Sequence, residues 1–216
     1  NGNFSITIDS LESGLYNFFL QPEFQYVILE KGDSIYIRLN SLDFDESLVF
    51  MGKGSAKNNF LIDVFLKNEE HNDILNSYYN ANFDDFLIKV DSLFNNQKEL
   101  FKEFKQNNRL SYLSENLILD AIKYPLLEKI QSYLVSNNLD LNRLEIDYSK
   151  YEIDFNNNSI SSYKPYIDFI YLYSYNLTKS ISNYNFQVER LKILDSLVQS
   201  DDIKSKLFKE NPHTYI

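Results

Sequence analysis

The sequence predicts an α+β protein, with a small N-terminal antiparallel β-sheet followed by an all-helical region packed on it. Three observations carry this prediction. All five glycines lie at or before Gly54. Glycine supplies the positive-φ positions of tight turns and weakens helix interiors, so its disappearance marks a change from turn-rich strand to helix. The hydrophobic period changes at the same place, from alternation to a helical repeat. Finally, 44% hydrophobic and 24% charged residues are ordinary for a folded chain, whereas 17 Tyr and 17 Phe foretell an aromatic core. Residues 1–54 thus form a β-rich module and residues 55–216 a helical region. The two are expected to share one core, since about fifty residues of strand are marginal alone.

Within the first module, residues 4–8 alternate apolar and polar side chains, the mark of a half-buried strand. Ser13-Gly14 turns the chain into a second strand at 15–20. Residues 24–30 and 34–39 are β-branched and aromatic and flank Lys31-Gly32-Asp33, which reads as a hairpin with Gly32 at the positive-φ site. Residues 47–51 make a fifth strand. Beyond Ala56, Phe60, Leu61, Val64 and Phe65 share one helical face. Asn82 is placed to N-cap a helix over 83–105, with Asp84 and Asp85 favourable at its positive end. A helix over 111–135 contains Pro125, whose ring clashes with the preceding turn and predicts a bend. Residues 137–159 are polar and irregular, a length of loop that is usually functional or mobile. Helices at 163–181, 186–199 and 202–209 complete the chain.

Composition excludes several function classes. A net charge of −10 argues against wrapping nucleic acid, which needs clustered Lys and Arg. Without cysteine there is no disulfide framework, thiolate nucleophile or Cys metal site. No stretch approaches the roughly 18 apolar residues of a membrane span. Gly52-Lys53-Gly54-Ser55 has the composition of a phosphate loop but the wrong spacing, and it reads as a tight strand-to-helix connection. The acidic run Asp43-Phe44-Asp45-Glu46 lacks the loop length, central Gly and terminal Glu of a calcium-binding hand, and reads as a solvated turn. His71 and His213 are the two histidines, without zinc-binding spacing. No nucleophile elbow is present. The expectation is therefore a non-enzyme without cofactor or metal. Three glycosylation tripeptides, starting at Asn3, Asn157 and Asn176, are expected by chance in a chain so rich in Asn.

The helix at 163–181 carries a core stripe of Tyr163, Tyr166, Ile167, Ile170, Tyr173, Leu177 and Ile181. Its other side carries Tyr171, Leu172 and Tyr175 among charged residues. Tyrosines four residues apart on a solvent side can stack on a ligand or pack against another domain. The reading preferred for them is packing on the 137–159 loop or on a neighbouring helix. If any surface of the chain meets a partner, Tyr171, Leu172 and Tyr175 are the expected one.

Two stretches resemble a known family. Leu29-Glu30-Lys31-Gly32-Asp33-Ser34-Ile35 resembles an "L-x-P-G-D-S-I" hairpin. Residues 44–61, Phe-Asp-Glu-Ser-Leu-Val-Phe-Met-Gly-Lys-Gly-Ser-Ala-Lys-Asn-Asn-Phe-Leu, resemble "F-D-E-x-L-x-F-x-G-K-G-A-x-x-N-N-F-L". Both belong to the long N-terminal extension of extracytoplasmic thioredoxin-like thiol–disulfide oxidoreductases of the TlpA/ResA type. The match departs at Lys31, where the family has Pro. The resemblance implies a periplasmic or envelope-lipoprotein setting, and a partner that is either a thioredoxin-like catalytic domain or its client protein, with homodimerisation a further expectation. The chain then reads either as a fragment of a longer protein that ends before the catalytic domain, or as a stand-alone relative that lost it. On the second alternative it is an extracytoplasmic binding module for a peptide or glycan.

Overall fold

Two antiparallel hairpins sit on one end of a helical bundle. The computed structural model describes residues 5–40, 42–179, 181 and 185–210. Strands β1 (Gly14–Leu20) and β2 (Glu23–Leu29) pair in one hairpin, and β3 (Ser34–Arg38) and β4 (Val49–Lys53) pair in another. A short helix α1 (Phe44–Ser47) lies inside the second hairpin. Helices α2 (Ser55–Ser77), α3 (Phe83–Asn107), α4 (Tyr112–Ser136), α5 (Lys164–Lys179), α6 (Phe186–Leu197) and α7 (Asp201–Glu210) follow. The α+β class read from the sequence is the one the structure has.

The single antiparallel sheet is corrected to two separate two-stranded sheets. Gly32 does take positive φ, at 88°, and the Asp33 N–H donates to the Glu30 carbonyl at 3.0 Å. That turn joins one hairpin to the next, however, instead of folding β2 onto β3. What replaces the missing pairing is a tandem of side chains on α2. Asn58 Nδ2 donates to the Ile28 carbonyl at 2.9 Å, and Asn58 Oδ1 accepts from the Ile28 N–H at 2.7 Å. Asn59 does the same for Phe50, at 2.8 and 2.9 Å. Each strand edge thus finds its partner in an amide side chain, which satisfies buried backbone groups as a neighbouring strand would. Residues 5–8 join no ladder, and Ile6 and Ile8 are exposed. Phe4, expected to open that strand, lies outside the described residues.

The first turn of α2 also holds an ion cluster. Lys57 Nζ lies 2.6 Å from Glu30 and 2.7 Å from Asp33, and its side chain is 5% exposed. Burial raises the Glu30 pKa, but hydrogen bonds from Lys57, Ser111 and Ser114 outweigh it and leave the carboxyl below its ordinary value. Gly54 adopts φ 92° between β4 and α2, and a Cβ there would run into the Asp33 carboxylate. The helix N-terminus therefore already faces an anion of its own chain, and Gly52-Lys53-Gly54-Ser55 is the tight connection the sequence predicts.

Helix α2 serves two apolar clusters. Its Ile62 packs with Val27, Phe44, Leu48 and Phe50 against the hairpins, while Leu61, Val64 and Leu75 join the large core of α3, α4, α5 and α7. Helix α3 begins as expected, with Asn82 accepting from the Asp85 N–H at 2.9 Å. It buries Phe86, Val90, Leu93, Phe94, Gln97 and Phe101, whereas Leu100 is exposed. Helix α4 is capped by Ser111 and buried on all sides, which makes it the central rod of the bundle. It runs through Pro125 unbroken.

The segment over 137–159 is pinned. The Tyr124 and Tyr166 hydroxyls both donate to the Asp154 carbonyl, at 3.1 and 3.0 Å. Lys123 donates to the Glu152 carbonyl at 3.1 Å, and Tyr151 and Lys150 both reach Asp91. Leu141, Tyr151 and Ile160 are buried. Among the described residues, no helix is long and apolar enough to cross a membrane.

Candidate functional site

A cleft opens beside Pro125, inside the continuous helix α4. Proline has no N–H and its ring crowds the carbonyl four residues back, which is Ala121. That carbonyl is left without its helical donor, and two side chains from other elements take it over. Asn68 Nδ2 of α2 donates to it at 3.1 Å, and the Tyr163 hydroxyl at the start of α5 donates at 3.4 Å. The Tyr163 phenol is fully buried and pushed well above its ordinary pKa by that burial, so it stays a donor.

Around this joint is a cleft of about 220 Å³. The first hairpin supplies Leu15, Gln25 and Tyr26; α2 supplies Val64, Phe65 and Asn68; and α4 supplies Leu117, Ala121 and Pro125. Tyr163 and Pro165 close the side next to α5, and Glu69 and Asn72 stand at the rim. The rings of Tyr26 and Tyr163 meet edge to face at 4.9 Å. Tyr26 Oη also accepts from the Lys164 N–H at 3.1 Å, which fixes the hairpin to the first turn of α5. The walls are therefore rigid and mostly apolar.

Gln25 is the exception in that wall. It is 1% exposed, its Oε1 accepts from the Tyr26 N–H at 2.8 Å, and its Nε2 has no hydrogen-bond partner among the described residues. A buried donor left unpaired costs about 1–3 kcal/mol, so such atoms are rare without a purpose.

Next to the cleft, a polar chain ties three helices together. Gln97 Nε2 of α3 donates to Asn68 Oδ1 at 2.9 Å and lies 3.1 Å from His71 Nδ1. With the Gln97 amide N–H turned toward it, Nδ1 takes the acceptor role. Burial holds the His71 pKa below its ordinary value. Asp120, buried on α4, is paired with Lys123 at 2.8 Å and accepts from Asn157 at 2.9 Å. Burial raises its pKa, but one of its oxygens is spent on Lys123 and the other on Asn157. Among the described residues, no three His or acidic side chains are placed to hold a metal ion. His213 and the side chains of Asp45 and Glu46 lie outside the described residues.

Tyr171, Leu172 and Tyr175 are half-buried, so the solvent-side reading of that face is corrected. Helix α6 lies over it. The Arg190 guanidinium stacks 3.7 Å above the Tyr171 ring and lies 5.7 Å from that of Tyr175. It also donates to the Tyr171 carbonyl at 3.0 Å and to Ser174 Oγ at 3.3 Å. The Tyr175 ring meets Phe186 edge to face at 5.3 Å. The physical reason is that a planar cation on aromatic faces keeps its hydrogen bonds while burying its stem, so one arginine lets a short helix cover two tyrosines. Sequence reasoning named the tyrosines and missed Arg190. It also missed the cleft, although Pro125 was its one available signal.

Comparison of the chain with protein-family profiles, with curated proteins and with solved structures returns no significant match.

Proposed function

We propose that the chain is a non-catalytic accessory region of an extracytoplasmic thioredoxin-like thiol–disulfide oxidoreductase, acting at the cell envelope to position the catalytic domain or its client proteins. The observation that supports this reading is what the family-like residues do here. Glu30, Gly32 and Asp33 from the first motif meet Gly54, Lys57, Asn58 and Asn59 from the second, and together they build the joint that hooks both hairpins onto α2. A pattern repeated for its architecture, not its chemistry, suits a positioning role. The proposal gives the periplasm, or a lipoprotein at its surface, as the compartment, and a thioredoxin-like domain, a client or a second copy of the chain as the partner.

The test is the native reading frame beyond the codon for Ile216. Continuation into a domain with a C-x-x-C pair is the expected result, and a stop codon at that point would sink the accessory reading. The cleft beside Pro125 supports a second reading, an envelope binding module for a peptide or glycan. It predicts a ligand-dependent rise in melting temperature of the chain by itself. A melting temperature unmoved by saturating peptide and glycan panels would reject it.

A further inference from the structure

We propose that the cleft between the first hairpin, α2 and α4 is a binding site for a small, neutral, ring-sized apolar molecule carrying one carbonyl or hydroxyl acceptor, which Gln25 Nε2 engages. The accessory reading gives the cleft no ligand, and this inference is independent of it; against the second reading, it puts a small neutral molecule in the cleft in place of a peptide or glycan.

Size, lining and one orphan atom each narrow the ligand. Protein interiors are packed to crystal density, so the apolar walls of an open cleft lack contacts that a bound molecule would supply. An apolar cavity of about 150 Å³ stays dry and takes up benzene. At about 220 Å³, this cleft has room for one ring and a short substituent. Its walls offer Leu15, Val64, Leu117 and Pro125, with the Tyr26 and Tyr163 rings for stacking. The other polar groups at its base are committed, since Asn68 spans from Ala121 to Gln97 and Tyr163 donates to Ala121. Gln25 Nε2, buried in the wall, is the one left without a partner there among the described residues. An N–H donor asks for an acceptor. A ligand carboxylate would face Glu69 at the rim and pay desolvation against apolar walls, so the acceptor belongs to an uncharged group.

The test is titration of the isotope-labelled chain with acetophenone, toluene and benzoate, followed by amide NMR. Acetophenone is expected to shift the Gln25 side-chain amide and the backbone amides around Tyr26 and Ala121. Toluene is expected to bind at the same place about tenfold more weakly, the difference one hydrogen bond makes, and benzoate to leave the spectrum unchanged. Gln25→Leu keeps the side-chain volume and removes the orphan donor together with the acceptor of the Tyr26 N–H, two changes of opposite sign, so it is expected to fold with a melting temperature within a few degrees of the parent. In that variant acetophenone should bind no better than toluene. Ala121→Leu should block both by filling the cleft; its folding is judged by the spectrum, and the Gln25→Leu comparison decides if it does not fold. The inference is overturned if none of the three compounds shifts the cleft residues at its solubility limit. It is equally overturned if acetophenone keeps its advantage over toluene in Gln25→Leu.

Discussion

At the scale of single residues, His71 is where solution conditions reach the fold. Its Nδ1 accepts from Gln97, and burial is the larger cause of its lowered pKa, opposed by the nearby Glu70. Protonation would set a new N–H against an amide N–H. The sign of the linkage follows. A histidine whose folded pKa is depressed contributes stability that is complete above its unfolded pKa of about 6.5 and is lost as pH falls toward the folded value. Urea midpoints are therefore expected to drop on going from pH 7 to pH 5, and the drop is expected to shrink in His71→Gln. An identical pH profile in the variant would place the sensitivity elsewhere. Glu30 acts lower on the scale. Its depressed carboxyl lends stability above its ordinary range, and that stability is lost as acid protonates it. Lys57→Met would leave two carboxylates facing each other without their shared cation, a change expected to cost about 3–5 kcal/mol in chemical denaturation. The sequence shows His71, Lys57 and Glu30 as residue types, but their partners lie 26 or 27 positions away and carry no local signal.

At the scale of elements, helix ends were the most legible feature. Asn82 and Ser111 cap where a short polar side chain before an apolar run says they should. Strand pairing was not legible. Periodicity tells that residues 24–30 and 34–39 are extended, but not which edge each one offers, and here the edges of β2 and β4 go to Asn58 and Asn59. The two amides are predicted to differ in weight. Asn58 is 1% exposed, so Asn58→Ala strands a buried N–H and C=O on Ile28 and is expected to cost about 2–3 kcal/mol. Asn59 is half-buried, water can replace it, and Asn59→Ala is expected to cost about 1 kcal/mol or less. Equal losses in urea titrations would show that burial does not set their weights.

At the scale of the whole molecule, attachment is uneven. Helix α4 is enclosed by α2, α3 and α5, whereas α6 lies on α5, held there by its buried Leu194 together with the Arg190 stack and the Phe186 ring. Arg190→Ala is expected to speed amide hydrogen exchange over residues 186–197 and to uncover Tyr171 and Tyr175, while α3 and α4 keep their protection. Loss of protection throughout the bundle would instead make α6 an integral part of the core. The outward tyrosine face was legible as unusual, because tyrosines opposite an apolar stripe need a reason. What covers them was not, because Arg190 reads as one more surface charge in a chain of mixed charge.

The adjacent pair Asn58 and Asn59 also bears on how this chain can change by insertion and deletion. Two neighbouring positions each grip a different hairpin, so both grips share one phase of one helix. Adding or removing a single residue between Gly54 and Asn58 turns everything after it by about 100°. Both hairpins would come loose in one step, and no single substitution elsewhere could rehang one without the other. The segment is therefore free to vary in letters at the exposed Ala56 but not in length, and the hairpins are inherited or replaced only as a pair.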